Sequence, residues 1–239
     1  VISPDPKLSI EECGLPYFMI LEIFKPQIVS YMISRKICKR YNQAAKIIED
    51  CLKDGDDRLF PLIEEFCKDK ICVLNRQPTL HRLGLLGFNF IPHMGNTIKI
   101  HPMICPPFNA DFDGDAMAVY IPLTEESHKD ILEKVHIKNN LLSPTNISII
   151  PTPNQDIILG IFAATKDDAP EEDKVLYKDK KLSIGRVLFN KCLPEDHPVV
   201  NKPLSGKDLK IILNNIALSY KPSVVMETID KIKTLGFNL

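Results

Sequence analysis

The spacing of apolar residues divides the chain into a helical first part, a β-rich centre and a helical end. Between residues 14 and 39, apolar side chains recur at helical spacing, which predicts a helix that Pro26 kinks or splits. From residue 71 onward the apolar runs become short and rich in β-formers, with Pro, Gly and Asn between them. Further helices are predicted over 42–52 and 56–67, and strands and turns over 71–75, 86–92, 97–105 and 116–123.

Helix-start signals recur after the β-rich centre. Thr124, followed by two glutamates, predicts an N-cap and a helix that fades near residues 139–140. The charged stretch over 167–181 is poor in apolar residues and predicts a solvated linker or insertion. Helices are predicted over 155–165, 183–190, 205–220 and 222–235. Together these elements predict an α+β fold.

Local capping residues support two of the final helices. Ser205 and Asp208 have the spacing that approximates a capping box, in which each side chain binds a free backbone N–H of the first turn. Pro222 suits the first position of a helix, where its missing N–H costs nothing. These two signals predict where the last two helices begin.

Composition narrows the class of protein without identifying it. The formal net charge is −1, from 30 Lys and Arg against 31 Asp and Glu, whereas autonomous nucleic-acid binders are usually basic. A near-zero net charge remains compatible with an enzyme whose partner subunits provide the basic surface that contacts nucleic acid. The seven cysteines include no CxxC pair and predict reduced, buried thiols rather than disulfides or a zinc site. No apolar run has the length of a membrane span, and we expect a cytoplasmic protein.

Three aspartates within five residues form the strongest local feature of the chain. Asp111, Asp113 and Asp115 alternate along the backbone, so an extended or looped chain points all three carboxylates to one side. Like charges this close repel one another unless a cation joins them. Gly114 allows a tight turn between the last two. Oxygen ligands suit a hard cation, so the spacing predicts a Mg²⁺ site.

Two other interpretations of the aspartates compete with a magnesium site. A calcium-binding EF-hand loop requires Glu at its twelfth position, where this chain has Pro122, so that interpretation fails. An acidic surface turn is the commoner explanation for an arbitrary DxDxD sequence. The apolar flanks at 106–108 and 117–122 argue against a solvated turn, although spacing alone does not exclude it.

Several ordered motifs resemble the largest subunit of cellular-type RNA polymerases, the β′ subunit in bacteria. The sequence NADFDGD over 109–115 resembles the absolute signature of that family, and VLNRQPTLHR over 73–82 resembles its NRxPTLHR segment. CGLP over 13–16 and EIFKP over 22–26 resemble two upstream stretches. Further similar segments, all in family order, lie at 140–144, 155–156, 183–190 and 235–237. The resemblance therefore extends over nearly the whole chain.

The resemblance implies a polymerase active site on a double-psi β-barrel. Asp111, Asp113 and Asp115 would hold one Mg²⁺, and a second Mg²⁺ would arrive with the nucleoside triphosphate. The RNA 3′-hydroxyl would attack the α-phosphate, with loss of pyrophosphate, in a two-metal phosphoryl transfer. The substrate-binding residues implied by the family positions are Arg76 and Asn109 at the ribose hydroxyls, with Pro78 and His81 nearby. His101 matches a turn before the catalytic loop and is expected to be structural.

The resemblance also implies a division of the chain. Residues 1–70 would hold the end of a first barrel half and a helical insertion, and 71–123 the barrel core with the catalytic loop. Residues 124–166 would form a helix and loop after the active site, 167–182 a charged linker, and 183–239 a helical region like a pore or funnel. The zinc-binding segments, clamp, bridge helix and trigger loop of the family are not in this sequence. We therefore expect the chain to be inactive alone and to depend on partners for folding.

Those partners would be the second-largest, β-like subunit and the rest of the largest subunit, acting on template DNA, RNA product and nucleoside triphosphates, with no membrane. Ala116 stands where bacterial subunits have Gln after NADFDGD, and other segments look archaeal or eukaryotic. This mosaic suggests a divergent viral, phage or plasmid lineage, acting in a bacterial or infected-cell cytoplasm, with the nucleus as an alternative. Two other functions stay open: a non-catalytic assembly module, and a single-subunit RNA-dependent polymerase with a related barrel.

Overall fold

The computed structural model describes residues 1–145, 147–166 and 170–238 and has a mixed α/β architecture, as the sequence predicts. The strands are β1 (Ile2–Pro4), β2 (Glu12–Pro16), β3 (Ile71–Asn75), β4 (Leu85–His93), β5 (Ile98–Ile100), β6 (Ala118–Tyr120), β7 (Val175–Tyr177) and β8 (Lys180–Leu182). The α-helices are α1 (Tyr17–Ile23), α2 (Lys25–Ser34), α3 (Tyr41–Asp54), α4 (Phe60–Cys67), α5 (Cys105–Phe108), α6 (Glu125–Asp130), α7 (Gln155–Thr165), α8 (Ile184–Cys192), α9 (Gly206–Ser219) and α10 (Pro222–Phe237).

Strands β1 to β6 form one mixed sheet in the order β1-β5-β2-β4-β3-β6. The pairs β1–β5 and β2–β4 are parallel, while β2–β5, β3–β4 and β3–β6 are antiparallel. The strands come from both the first 70 residues and the segment that follows. The sheet is therefore assembled by long-range pairing, and it joins the two parts of the chain that flank helices α1 to α4.

The first helical segment is shorter than the apolar spacing predicts. Residues 14–16, expected to be helical, belong to β2, where they pair with β4. This part of the prediction was wrong, because the buried run before Tyr17 satisfies its backbone through a partner strand more than seventy residues away. The predicted break at Pro26 is confirmed, since α1 ends at Ile23 and α2 begins at Lys25 with Pro26 in its first turn.

Two of the predicted strands are only partly strands. In the predicted run over 97–105, β5 ends at Ile100 and the chain turns into a 3-10 helix, Pro102–Ile104, and then α5. His101 caps that first turn by accepting a hydrogen bond from Met103 N at its Nδ1 atom. The predicted strand over 116–123 is reduced to β6. β5 stops early because His101 caps the turn that begins at Pro102.

The predicted charged linker contains a short hairpin. β7 and β8 pair in antiparallel fashion across a turn at Lys178 and Asp179, both of which have a positive φ. Residues 167–169 of that predicted linker lie outside the described residues. The predicted helices after it are confirmed as α8, α9 and α10, and Ser205 and Asp208 form the reciprocal capping box.

One hydrophobic core runs under the sheet and into the C-terminal helices. All seven cysteines are free thiols and six are buried, as their apolar surroundings predict. Within the described residues, no helix has the length and apolarity needed to cross a membrane. Helices α7 and α10 approach very closely at two glycines. A Cβ atom added at Gly160 would lie only 2.1 Å from the carbonyl oxygen of Gly236.

Gly160→Ala is therefore expected to destabilise the chain by about 1–3 kcal/mol through overpacking against the backbone of α10. The measurement is the urea concentration that gives half-cleavage in pulse proteolysis of the purified protein. Leu159→Ala, on the exposed face of the same helix, is the matched control and should change stability by less than ~0.5 kcal/mol. Equal effects of the two substitutions would contradict the close α7–α10 packing.

Candidate active site

The loop with the three aspartates is fixed at both ends by buried residues. Before it, Pro107 and Phe108 are buried in α5, and the ring centroids of Phe108 and of Phe88 in β4 lie 6.3 Å apart. After it, Met117 is buried and leads into β6. The carboxylates between these anchors are exposed or half-buried, so the loop keeps them accessible while its two ends are held in the core.

Asn109 ends α5 in the left-handed conformation, with φ 48° and ψ 45°. Its N–H donates to the carbonyl of Pro106 at 3.0 Å, and Ala110 N donates to that of Cys105 at 3.1 Å. Asparagine tolerates this conformation better than most residues with a Cβ atom. The residue predicted to bind a ribose hydroxyl therefore also closes the helix and directs the chain into the aspartate loop.

The three carboxylates converge. One oxygen from each of Asp111, Asp113 and Asp115 lies within 4.8 Å of the other two. Gly114 makes this possible with φ 126°, a backbone conformation that residues with a side chain rarely adopt. Asp111 N donates to Asp115 Oδ2 at 3.1 Å, and Asp115 O accepts from Ile2 N at 2.9 Å. The loop is thus closed on itself and joined to β1.

Arg76 binds the last of the three aspartates through two of its three guanidinium nitrogens. Its Nε donates to Asp115 Oδ2 at 2.7 Å and its Nη2 to Oδ1 at 3.1 Å. The antiparallel pairing of β3 with β6, in which Asn75 lies opposite Ala118, brings the residue after β3 close to the residues just before β6. The ion pair is about four-fifths buried on each side. Its position thus follows from strand register.

Charge separates the pKa values of the aspartates. Hydrogen bonding and charge from Arg76 hold the pKa of Asp115 below its ordinary value, and Asp115 in turn raises the pKa of Arg76. The pKa of Asp111 is raised, chiefly because its carboxyl shares a hydrogen bond with that of Asp113, and then by desolvation and by repulsion from Asp113. Burial raises the pKa of the nearby Cys105 thiol to about 11. Arg76 therefore compensates one side of the cluster, while the Asp111 side keeps its excess negative charge.

The family described as RNA polymerase Rpb1, domain 2, matches residues 1–137, more than half of the chain and the whole aspartate site. The chain belongs to this family. Its Rpb1 domain 2 match confirms the resemblance found in the motifs. The aspartate loop, Arg76 and all six strands of the large sheet fall inside the matched range.

Curated bacterial proteins named DNA-directed RNA polymerase subunit beta' are similar to nearly all of this Rpb1-family chain. The relative from Borreliella afzelii is 36% identical over 99% of the chain and 19% of its own length. Those from Sulfurihydrogenibium sp. and Tropheryma whipplei are 34% and 31% identical, over 99% and 100% of the chain and 16% and 21% of their own lengths. The chain thus spans about a fifth of the length of the curated relatives it matches.

The donor set of this Rpb1-family site fits a divalent cation. All three candidate ligands are carboxylate oxygens, the type that Mg²⁺ prefers, and they already lie close enough to share one ion. Three carboxylates face one guanidinium, so Arg76 offsets only part of the negative charge that the ionised cluster carries. A cation shared by the three would remove that repulsion. Their role as metal ligands stays a prediction.

The four predicted substrate residues lie on two segments: Asn109 at the end of α5, and the other three between β3 and β4. Arg76, Pro78 and His81 all belong to the connection between β3 and β4, and Pro78 and His81 are exposed. Thr79 Oγ1 donates to Asn75 Oδ1 at 2.7 Å and holds the start of this connection to the end of β3. The structure joins Arg76 to the aspartate loop; a substrate role for Pro78, His81 and Asn109 stays a prediction.

Sequence reasoning missed two features of the site. Arg76 was expected at the ribose and not as the partner of Asp115, a pairing that only strand register reveals. His101, expected to be structural, is fully buried and binds Asp230 of α10 through Nε2 at 3.1 Å.

A cation at this site must compete with protons, and the pKa of Asp111 sets where that competition begins. Because Asp113 raises this pKa, protonation at Asp111 should begin at higher pH than for an isolated aspartate, and affinity should fall as pH drops through that range. Asp113→Asn should weaken binding at neutral pH but move the remaining pH dependence downward. Mn²⁺ titrations followed by EPR between about pH 4 and 7 test this; an unmoved or upward-shifted profile would contradict it.

Proposed function

We propose that the chain is a catalytic part of the largest subunit of a DNA-directed RNA polymerase and serves in adding ribonucleotides to the RNA 3′ end. The observation that carries this proposal is the convergence of Asp111, Asp113 and Asp115 in a loop inside the Rpb1 domain 2 match. The name of the bacterial relatives, DNA-directed RNA polymerase subunit beta', supports the same activity.

In this proposal the three aspartates hold one Mg²⁺, and a second comes with the nucleoside triphosphate. When bound, the two ions supply activation of the attacking hydroxyl and neutralisation of charge on the transferring phosphoryl group. The chain's own residues then have mainly positioning work: the aspartates fix the site, and the buried anchors at Phe108 and Met117 keep their backbone in place. Reliance on metal ions and positioning leaves little acid–base chemistry for protein side chains.

Arg76 has the geometry to serve the site twice. Its Nε and Nη2 atoms bind Asp115, which leaves the donors of Nη1 outside that pairing. We assign these donors to a ribose hydroxyl of the incoming nucleotide. Asn109 would provide a second polar contact to the ribose, with Pro78 and His81 lining the same side. A 2′-hydroxyl both donates and accepts, so such contacts distinguish ribonucleotides from deoxyribonucleotides.

We further infer that the six-stranded sheet is part of a double-psi β-barrel. The support is its mixed order, with parallel β2–β4 pairing beside antiparallel neighbours. The chain would then divide into 1–70, 71–123 with the catalytic loop, 124–166, the linker 167–182 and the funnel-like helices of 183–239. The proposed partners are a β-like subunit, the rest of the largest subunit, DNA, RNA and nucleoside triphosphates, in the cytoplasm.

Asp113→Ala is expected to lower Mg²⁺-dependent RNA extension by the assembly that contains the chain by at least ~10³-fold, because metal stabilisation of the transition state provides several kcal/mol. The measurement is extension of a labelled RNA primer on template DNA. Asp130→Ala is the matched control, since this exposed carboxylate pairs with Lys134 on its own helical segment; it should extend normally. Equal extension by wild type and Asp113→Ala, or none by a complete assembly, would favour the non-catalytic assembly module.

The purified chain without partners is expected to show no extension, because the relatives that it matches are about five times longer and are named as subunits. The comparison is extension by the isolated chain and by the assembly, at equal concentration of the chain. Activity restored on adding back partner polypeptides would support the dependence on assembly. Template-dependent extension by the isolated chain would contradict it.

A further inference from the structure

A buried polar cluster connects the last helix to the segments that hold the aspartate loop. It consists of Asp230 and Lys233 on α10, His101 after β5, and the backbone of Leu8 and Ile10 between β1 and β2. The side chains of His101 and Lys233 are 0% and 3% exposed, and that of Asp230 is 28% exposed. These partners are separated by more than 120 residues along the chain.

Asp230 is the centre of the cluster. Its Oδ1 accepts from Ile10 N at 3.1 Å and lies 3.1 Å from His101 Nε2, and Lys233 Nζ lies 3.5 Å away. Lys233 also donates to Leu8 O. His101 accepts from Met103 N at Nδ1, so the imidazole is neutral with its proton on Nε2, pointing at Asp230. Burial also lowers the pKa of His101, in agreement with the neutral form.

Two routes lead from Asp230 to the two ends of the aspartate loop. Through His101, it fixes the 3-10 turn that runs directly into α5, whose end at Asn109 begins the loop. Through Ile10, it fixes the connection that follows β1, and Ile2 of β1 donates to the carbonyl of Asp115. A single carboxylate therefore contacts both the turn that leads into the aspartate loop and the connection that follows the strand bonded to Asp115.

We propose that Asp230 is a positioning residue for the aspartate loop, acting through His101 and β1 to hold the three carboxylates at the separation that a divalent cation requires. This inference rests on the proposed function of the loop. Asp230 is not a ligand, since it contacts the supports of the loop and not the loop itself. Groups that orient metal ligands from outside the coordination sphere commonly change metal affinity by ~10–100-fold when removed.

The test measures cation binding directly, with Mn²⁺ as the probe and EPR of the free ion as the readout, on the purified assembly. Binding that survives in Asp113→Ala is subtracted as background. Asp230→Ala should raise the dissociation constant for Mn²⁺ at the site by ~10-fold. Asn190→Ala is the control: this buried asparagine joins α8 to the Val200 backbone and contacts neither support of the loop. It should lower stability but change Mn²⁺ affinity less than ~2-fold.

Two further variants separate positioning from general loss of structure. Asp230→Asn/Lys233→Met keeps an acceptor for Ile10 N and His101 Nε2 and removes the buried ammonium that would otherwise lack a countercharge. Its Mn²⁺ affinity should return to within ~3-fold of wild type. His101→Leu keeps the Asp230–Lys233 pair but removes the hydrogen bond between Asp230 and the turn that leads into α5. It should weaken Mn²⁺ binding by ~10-fold, and it tests the proposal even if Asp230→Ala fails to assemble.

The outcomes separate this inference from the function on which it rests. Wild-type Mn²⁺ affinity in Asp230→Ala or His101→Leu, together with a lower urea midpoint, would show that the cluster is only structural and would overturn the positioning role. Affinity that stays low in Asp230→Asn/Lys233→Met would also overturn it. If wild type itself showed neither site-specific Mn²⁺ binding nor extension, the proposed function would fail and not only the role of Asp230.

Discussion

The repulsion among three carboxylates held within 4.8 Å of one another is the constraint on which the rest of the site depends. In solution such a cluster would spread apart or take up protons. Here the buried residues Pro107, Phe108 and Met117 anchor both ends of the loop in the core. One cation from the protein, Arg76, offsets only part of the charge. The remaining negative charge is what the proposed cation would offset.

The supports of this loop come from distant parts of the sequence. Arg76 follows β3, Ile2 begins β1, and Asp230 lies on α10, yet each contacts the aspartate loop or a segment that leads into it. The mixed sheet makes this possible, since β1, β5 and β6 carry or flank the loop and its supports. A site built in this way depends on correct folding of the whole chain, which is consistent with one shared core rather than separate small ones.

Local signals predicted the elements that local physics controls. The capping residues Thr124 and Ser205 and the proline at 222 begin helices where the sequence indicates. Residues 14–16 were mistaken for helix because their strand partner lies in β4, and apolar spacing contains no information on pairing. The convergence of the carboxylates followed from their alternation, but the Arg76–Asp115 pair required the β3–β6 register. Substrate roles came from family resemblance alone.

The choice of arginine at position 76 follows from the same constraint. A lysine would offset the same charge, but as a point charge on a flexible chain it could not fix both oxygens of Asp115. The planar guanidinium binds Oδ1 and Oδ2 together, which sets the rotation of that carboxylate, and one of its nitrogens remains available. One rigid group can therefore orient a candidate metal ligand and present donors to a ribose. Linking metal geometry and sugar recognition in this way would make correct placement of the nucleotide and of the cation depend on each other.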